Sequence, residues 1–156
     1  VASSLQPRAL RVLLAEDDRE MRRLLVSTLR KARCEVIEAG SGVQLWEAIS
    51  RAGFGTAPEL AIDLIVSDVR MPGKSGLEVL SGLRRSADPT PVILITAFGD
   101  NETHCEAHRL GALAVFNKPF DLDDLGRVVV ALRDALADDD EASVQPLIEA
   151  SLQSTK

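Results

Sequence analysis

Glu16-Asp17-Asp18, Asp68, Thr96 and Lys118-Pro119 each stand at or just past the end of a short apolar run. The runs are Leu10–Ala15, Leu64–Ser67, Val92–Ile95 and Ala114–Asn117. If these are parallel strands of one sheet, their carboxyl ends share one edge, where open α/β sheets bind ligands. Acids, a hydroxyl and an ammonium then face one another at close range. Hard carboxylate oxygens grouped in this way suit Mg²⁺, with Mn²⁺ as the alternative ion. An aspartate carboxylate can attack phosphorus and become an aspartyl phosphate. Such a transfer needs in-line positioning and charge neutralisation more than acid–base machinery. Glu16, Asp17 and Asp68 supply the acids for a cation, and Thr96 and Lys118 supply donors for a phosphoryl group.

Each residue alone has a blander explanation. Asp17 or Asp18 suits the N-cap of a following helix. Asp68 suits a strand-ending turn, Lys118 the surface, and Thr96 any strand. A third acid at a second strand end favours the cation, and a helix-breaking proline after Lys118 argues against a simple surface lysine. His104 and His108 have the i, i+4 spacing of a transition-metal pair, with Cys105 and Glu106 between them. No third ligand is evident, so two ordinary histidines on a polar helix are the better reading.

The elements that must hold these groups follow from periodicity. Strand-like and helix-like patterns alternate, which argues an α/β fold around a mostly parallel sheet. Leu10–Ala15 is apolar on both faces, as a central strand covered by two layers requires. Met21, Leu24, Leu25, Thr28 and Leu29 give an amphipathic first helix. Glu35–Ala39 is a weaker strand, and Ser41 caps a second helix to about Arg51. A long loop, Ala52–Leu60, leads to a strand over Asp63–Ser67. Ser75 with Glu78 forms a capping box for a helix to about Ser86, and Val92–Thr96 is the fourth strand. The fourth helix, about Asn101–Leu110, has a thin apolar face and ends at Gly111. Ala114–Asn117 follows, then Asp121 caps a helix striped with Leu122, Leu125, Val128, Val129, Leu132 and Leu136. Residues 1–8 read as a disordered or appended N-terminus, 9–137 as the domain, and 138–156 as an acidic, polar linker or extra helix.

Composition narrows the class. The chain has 156 residues, 46% hydrophobic and 27% charged, enough for one globular domain with a sizeable core. Aromatics are 3% with no Tyr, so aliphatic side chains must build that core. A net charge of −6 disfavours nucleic-acid binding by this domain. The basic clusters Arg30-Lys31 and Arg84-Arg85 fall at helix ends, where they complement the helix dipole. Two cysteines make no disulfide framework, no apolar run spans a membrane, and the start carries no signal peptide. The cytoplasm is the default location, and Val1 suggests an excised piece.

Leu14-Ala15-Glu16-Asp17-Asp18, Asp68-Val69-Arg70-Met71-Pro72-Gly73, Thr96-Ala97 and Lys118-Pro119-Phe120 together resemble the receiver domain of two-component response regulators. The resemblance covers about Arg8 to Ala137, with every block in order. It implies a doubly wound, flavodoxin-like α/β fold: a five-stranded parallel sheet in order 2-1-3-4-5 with five helices on both faces. It implies Asp68 as phosphoacceptor, Glu16, Asp17 and the Arg70 backbone carbonyl as further Mg²⁺ ligands, and a cis Lys118–Pro119 bond. Thr96 and Lys118 would contact the phosphoryl oxygens, and Ala97, Val115 and Pro119 would lie in the switch region. Implied partners are a sensor histidine kinase or phosphotransfer protein, and a second copy through the fourth helix, fifth strand and fifth helix. In two respects the chain departs from the family: the loop Ala52–Leu60 looks expanded, which should alter a surface rather than the chemistry, and Val115 stands where an aromatic switch residue is usual. Phe116 follows it, and strand alternation points that ring to the opposite face.

Three rivals are weaker. A flavodoxin would need a Ser/Thr/Gly-rich phosphate loop where Glu16-Asp17-Asp18 stands. A haloacid dehalogenase-like hydrolase would carry an acid at Arg70. A degenerate receiver, binding partners without phosphorylation, would lack part of a residue set that is complete here. The expectation is therefore a signalling domain that modifies only itself, standing alone or as the receiver piece of a larger transcriptional regulator.

Overall fold

The computed structural model describes residues 9–53, 60–97 and 100–137. Five strands and five helices alternate: β1 (Arg11–Ala15), α1 (Arg19–Lys31), β2 (Glu35–Ala39), α2 (Gly42–Arg51), β3 (Leu64–Asp68), α3 (Gly76–Arg85), β4 (Val92–Thr96), α4 (Asn101–Arg109), β5 (Ala114–Asn117) and α5 (Leu122–Ala137). All strand pairings are parallel, and the sheet order is β2-β1-β3-β4-β5. The order turns at β1, where the chain leaves first toward β2 and then back to β3. A crevice opens there at the carboxyl ends.

Strand alternation splits the core in two. Val12, Leu14, Val66, Ile93, Ile95 and Phe116 pack with Leu25, Val26 and Leu29 of α1 and with the Leu125–Leu132 stripe of α5. Leu13, Ala15, Ile65, Leu94 and Val115 pack on the other face with Leu45 and Ile49 of α2, Val79, Leu80 and Leu83 of α3, and Ala107 of α4. Each fully buried Leu contributes roughly 2 kcal/mol of apolar burial. The low aromatic content is thus met by close-packed aliphatic layers, with a Phe116–Phe120 ring contact at 5.2 Å between centroids.

The helix starts follow their capping residues. Asp18, Ser41, Ser75 and Asp100 each accept the backbone N–H of the residue three positions on. Gly111, at φ 76°, ends the chain's run through α4 as a residue without Cβ can. Asp121 accepts the Asp123 N–H at 2.9 Å ahead of α5.

Three expectations shift. The buried stripe of α1 is Leu25, Val26 and Leu29, whereas Leu24 is 53% exposed; the helix is rotated toward Val26 relative to the expected face. Asp63 lies before β3, not in it, and its carboxylate accepts the Arg11 N–H at 2.8 Å. Arg84 does more than offset the dipole of α3. Its guanidinium donates to the carbonyls of Asp88 (2.8 Å), Thr90 (3.2 Å), Leu110 (3.0 Å) and Gly111 (3.2 Å), tying the end of α3 to the approach of β4 and the end of α4. Residues 1–8, 54–59 within the long loop, and 138–156 lie outside the described residues.

Candidate functional site

Register explains why these side chains meet. Ala15 pairs with Ser67, so Glu16 and Asp68 come next to each other at the ends of β1 and β3. Asp68 pairs with Ile95, and Thr96 with Asn117, which sets Thr96 and Lys118 on the same edge. Asp68 and Thr96 are the last residues of their strands, each inside the ladder and buried. The Lys118 N–H donates to the Thr96 carbonyl at 2.8 Å, which fixes where the lysine leaves β5. The Lys118–Pro119 peptide bond is cis.

The Lys118 ammonium reaches back into this edge. Nζ lies 2.8 Å from Asp68 Oδ2, and 3.3 and 3.5 Å from the two Glu16 carboxylate oxygens. The other Asp68 oxygen accepts the Arg70 N–H at 3.2 Å. Glu16, Asp17 and Asp68 each bring a carboxylate oxygen within 4.8 Å of the others, and among the described residues this is the one such acidic cluster. Glu16 and Asp68 are buried and Asp17 is exposed, so one side of the cluster stays open to water. Three carboxylates against one ammonium leave two negative charges, which matches a divalent cation that keeps several waters.

Electrostatics record the crowding. Burial, then the hydrogen bond and negative charge of Asp68, push Glu16 up to about 7. The Lys118 charge and the Asp18 N–H pull the other way without cancelling this. Burial alone would lower the Lys118 ammonium, but Asp68 and then Glu16 outweigh it and hold the lysine above its ordinary range. The site without a cation is thus a self-repelling set of acids, partly relieved by one lysine and by a proton on Glu16.

A pH dependence follows. The Glu16 pKa is raised from 4.5 to about 7, so the folded chain binds this proton more tightly than the unfolded chain. Metal-free stability therefore falls as pH rises through that window, because ionisation is disfavoured only in the folded state. A cation at the cluster must displace the same proton. Mg²⁺ affinity, read by isothermal titration calorimetry, is expected to rise by roughly tenfold between pH 6 and 8. In Glu16→Gln it should be lower and nearly flat. A flat profile in the parent chain would contradict the assignment.

Several supporting groups carried no signal in the sequence. Arg22 donates from Nη1 to the Glu16 carbonyl at 2.7 Å and pairs through Nε with Glu38 at 3.4 Å. Ser67 Oγ donates to the Asp68 carbonyl at 2.9 Å. Gly76 opens α3 against the end of β3, and a Cβ there would lie 2.6 Å from the Asp68 carbonyl oxygen. Arg22 was one arginine among several on a polar helix face, and only the folded chain reveals its target. Of the expected switch positions, Val115 is buried and Ala97 exposed. Phe116 points away from Val115, as alternation required. His104 is engaged elsewhere: its Nε2 lies 2.9 Å from Asn117 Oδ1, and His104 and His108 belong to no group of three metal-ligating residues among those described.

No helix among the described residues is long and apolar enough to cross a membrane. The family model of the response regulator receiver domain matches residues 12–130. Regulatory protein AtoC of Escherichia coli is 34% identical over 119 residues, covering 76% of this chain but only 24% of AtoC's own length. Sporulation initiation phosphotransferase F of Bacillus subtilis is 29% identical over 115 residues, covering 74% of this chain and 86% of that protein. The signal receiver domain of a LuxO-type repressor protein from Vibrio parahaemolyticus superposes with a TM-score of 0.73 at 26% identity, over 85% of this chain and 96% of that one. The sheet order, the two-layered core and the matched residues agree: this chain belongs to the receiver domains of two-component response regulators.

Proposed function

We propose that Asp68 accepts a phosphoryl group from a phosphohistidine on a sensor kinase or phosphotransfer protein. The observation that carries this is the Asp68 carboxylate held between the Lys118 ammonium at 2.8 Å and the Arg70 N–H at 3.2 Å, beside Glu16 and Asp17. An Asp68 oxygen attacks phosphorus, forming the O–P bond as the P–N bond breaks. The imidazole leaves with the electron pair and takes a proton. Lys118 then follows the charge onto a phosphoryl oxygen, and the buried Thr96 hydroxyl donates to another. Later attack by water on phosphorus breaks the O–P bond and restores Asp68. The domain turns over no external substrate in this scheme.

The acid cluster fits Mg²⁺, or Mn²⁺, by donor type, charge and spacing. Glu16, Asp17, Asp68 and the Arg70 carbonyl would hold it. When bound it supplies positive charge for the phosphoryl oxygens. The printed name of the Bacillus subtilis relative, a phosphotransferase, supports the transfer reading. AtoC's greater length supports the alternative that residues 9–137 are the receiver piece of a larger regulator, with 138–156 as its linker. A location in the cytoplasm and pairing of two copies through α4, β5 and α5 belong to the same proposal, and no direct contact with nucleic acid is assigned to this domain.

Intact-mass spectrometry of the chain with acetyl phosphate tests the proposal. One phosphoryl mass is expected when Mg²⁺ is present, and almost none with a chelator. No uptake in either condition would overturn the reading and favour a phosphorylation-independent interaction module.

A further inference from the structure

Among the described residues, β5 brings no aromatic ring to the face that carries α4, because position 115 is Val. Val115 and Asn117 alternate onto that side, and Phe116 turns into the opposite core against Phe120. Val115 is small and buried with Ala107 of α4. It has no polar group with which to sense the site.

Asn117 has one. It stands opposite Thr96 in the ladder and directly precedes Lys118, whose N–H donates to the Thr96 carbonyl. A backbone movement of Thr96 or Lys118 is therefore shared with Asn117, their neighbour in the ladder and in sequence. On the other side, His104 donates from Nε2 to Asn117 Oδ1 at 2.9 Å. His104 lies at the middle of α4, a helix whose one fully buried side chain is Ala107. Its polar remainder gives α4 little apolar burial to hold it in place. Arg84 holds the far end of α4 through the Leu110 and Gly111 carbonyls, and the solvent-exposed His104–Asn117 hydrogen bond joins the middle of the helix to the site strand.

We infer that the His104–Asn117 hydrogen bond couples the phosphoryl site to α4, with both residues acting as positioning residues. The inference rests on the receiver reading above. Recruitment of Lys118 and Thr96 shifts Asn117, and the amide carries or releases His104. The equilibrium of α4 is thereby tied to occupancy at Asp68. The bond does on this face what a rotating ring at position 115 would otherwise do.

The test uses the full chain with beryllium fluoride and Mg²⁺ as a stable phosphoryl mimic. Amide chemical shifts and hydrogen exchange are followed across residues 101–109. The parent chain is expected to show a clear α4 change on addition of the mimic. His104→Ala and Asn117→Val should lose that change, with thermal unfolding confirming that both remain folded. Phosphoryl uptake from acetyl phosphate should still occur in His104→Ala, whose side chain bonds none of the acids or donors at Asp68. His104→Gln, which keeps a side-chain N–H able to reach Asn117, should restore the α4 change. A full α4 change in either truncating variant would overturn the coupling, as would failure of His104→Gln to restore it. Absence of uptake in the parent chain would instead overturn the receiver chemistry on which the coupling rests.

Discussion

Asp68→Asn should take up no phosphoryl group from acetyl phosphate while remaining fully folded. The amide keeps an oxygen for the Arg70 N–H, now 3.2 Å from Asp68 Oδ1, so the turn after β3 is preserved. What disappears is the carboxylate proposed to attack phosphorus, since an amide oxygen carries neither its charge nor its basicity. Lys118 loses its 2.8 Å partner and falls back on Glu16, 3.3 Å away. Glu16 loses the negative neighbour that, after burial, does most to raise it, so its pKa should move down toward 4.5. Mg²⁺ binding should weaken by roughly tenfold, because one of three carboxylates is gone. Mass spectrometry reads the first effect and calorimetry the second. Retained uptake in Asp68→Asn would mean that another group is the acceptor.

Gly42→Ala is expected to be the most destabilising small substitution near the site. A Cβ at Gly42 would lie 1.8 Å from the Lys74 carbonyl oxygen, 2.6 Å from its carbonyl carbon and 2.9 Å from its Cα. All three are backbone atoms, so no rotamer change relieves the overlap. The start of α2 or the loop between β3 and α3 must move. Overpacking of this kind costs about 3 kcal/mol, which for a domain of this size lowers Tm by roughly 10 °C. The displaced loop is the one that follows Asp68 through Met71, Pro72 and Gly73, so phosphoryl uptake should slow as well. Thermal unfolding checks the first claim, and the Trp46 ring, packed against Gly82, offers a fluorescence signal for it. An unchanged Tm would show that this contact is looser than the geometry states.

Much of this architecture was legible in the residues because the relevant signals are periodic or local. Alternating strand and helix patterns, the capping residues Ser41, Ser75 and Asp121, and the runs ending in Asp68, Thr96 and Lys118 each report on their own neighbourhood. Their convergence followed from one assumption, a parallel sheet. The phase of α1 was harder: Leu24 and Val26 flank Leu25 on either side, and the pattern does not say which flank faces the sheet. Packing against α5 and the sheet decides for Val26. Tertiary hydrogen bonds were least legible. Arg22, Arg84 and His104 are ordinary residues for helix surfaces, and their partners at Glu16, Leu110 and Asn117 lie elsewhere in the chain. No spacing rule links such pairs. The Glu16 shift likewise needs burial and the nearness of Asp68, which only the fold supplies.

The central claim is that phosphoryl transfer ends on one carboxylate, Asp68. Borohydride reduction converts an aspartyl phosphate to homoserine, and peptide mass spectrometry then locates it. After treatment with acetyl phosphate and Mg²⁺, homoserine is expected at position 68 and nowhere else, and it should be absent when the cation is chelated. Homoserine at position 17 or 18, or a phosphoryl mass that leaves Asp68 unreduced, would contradict the account.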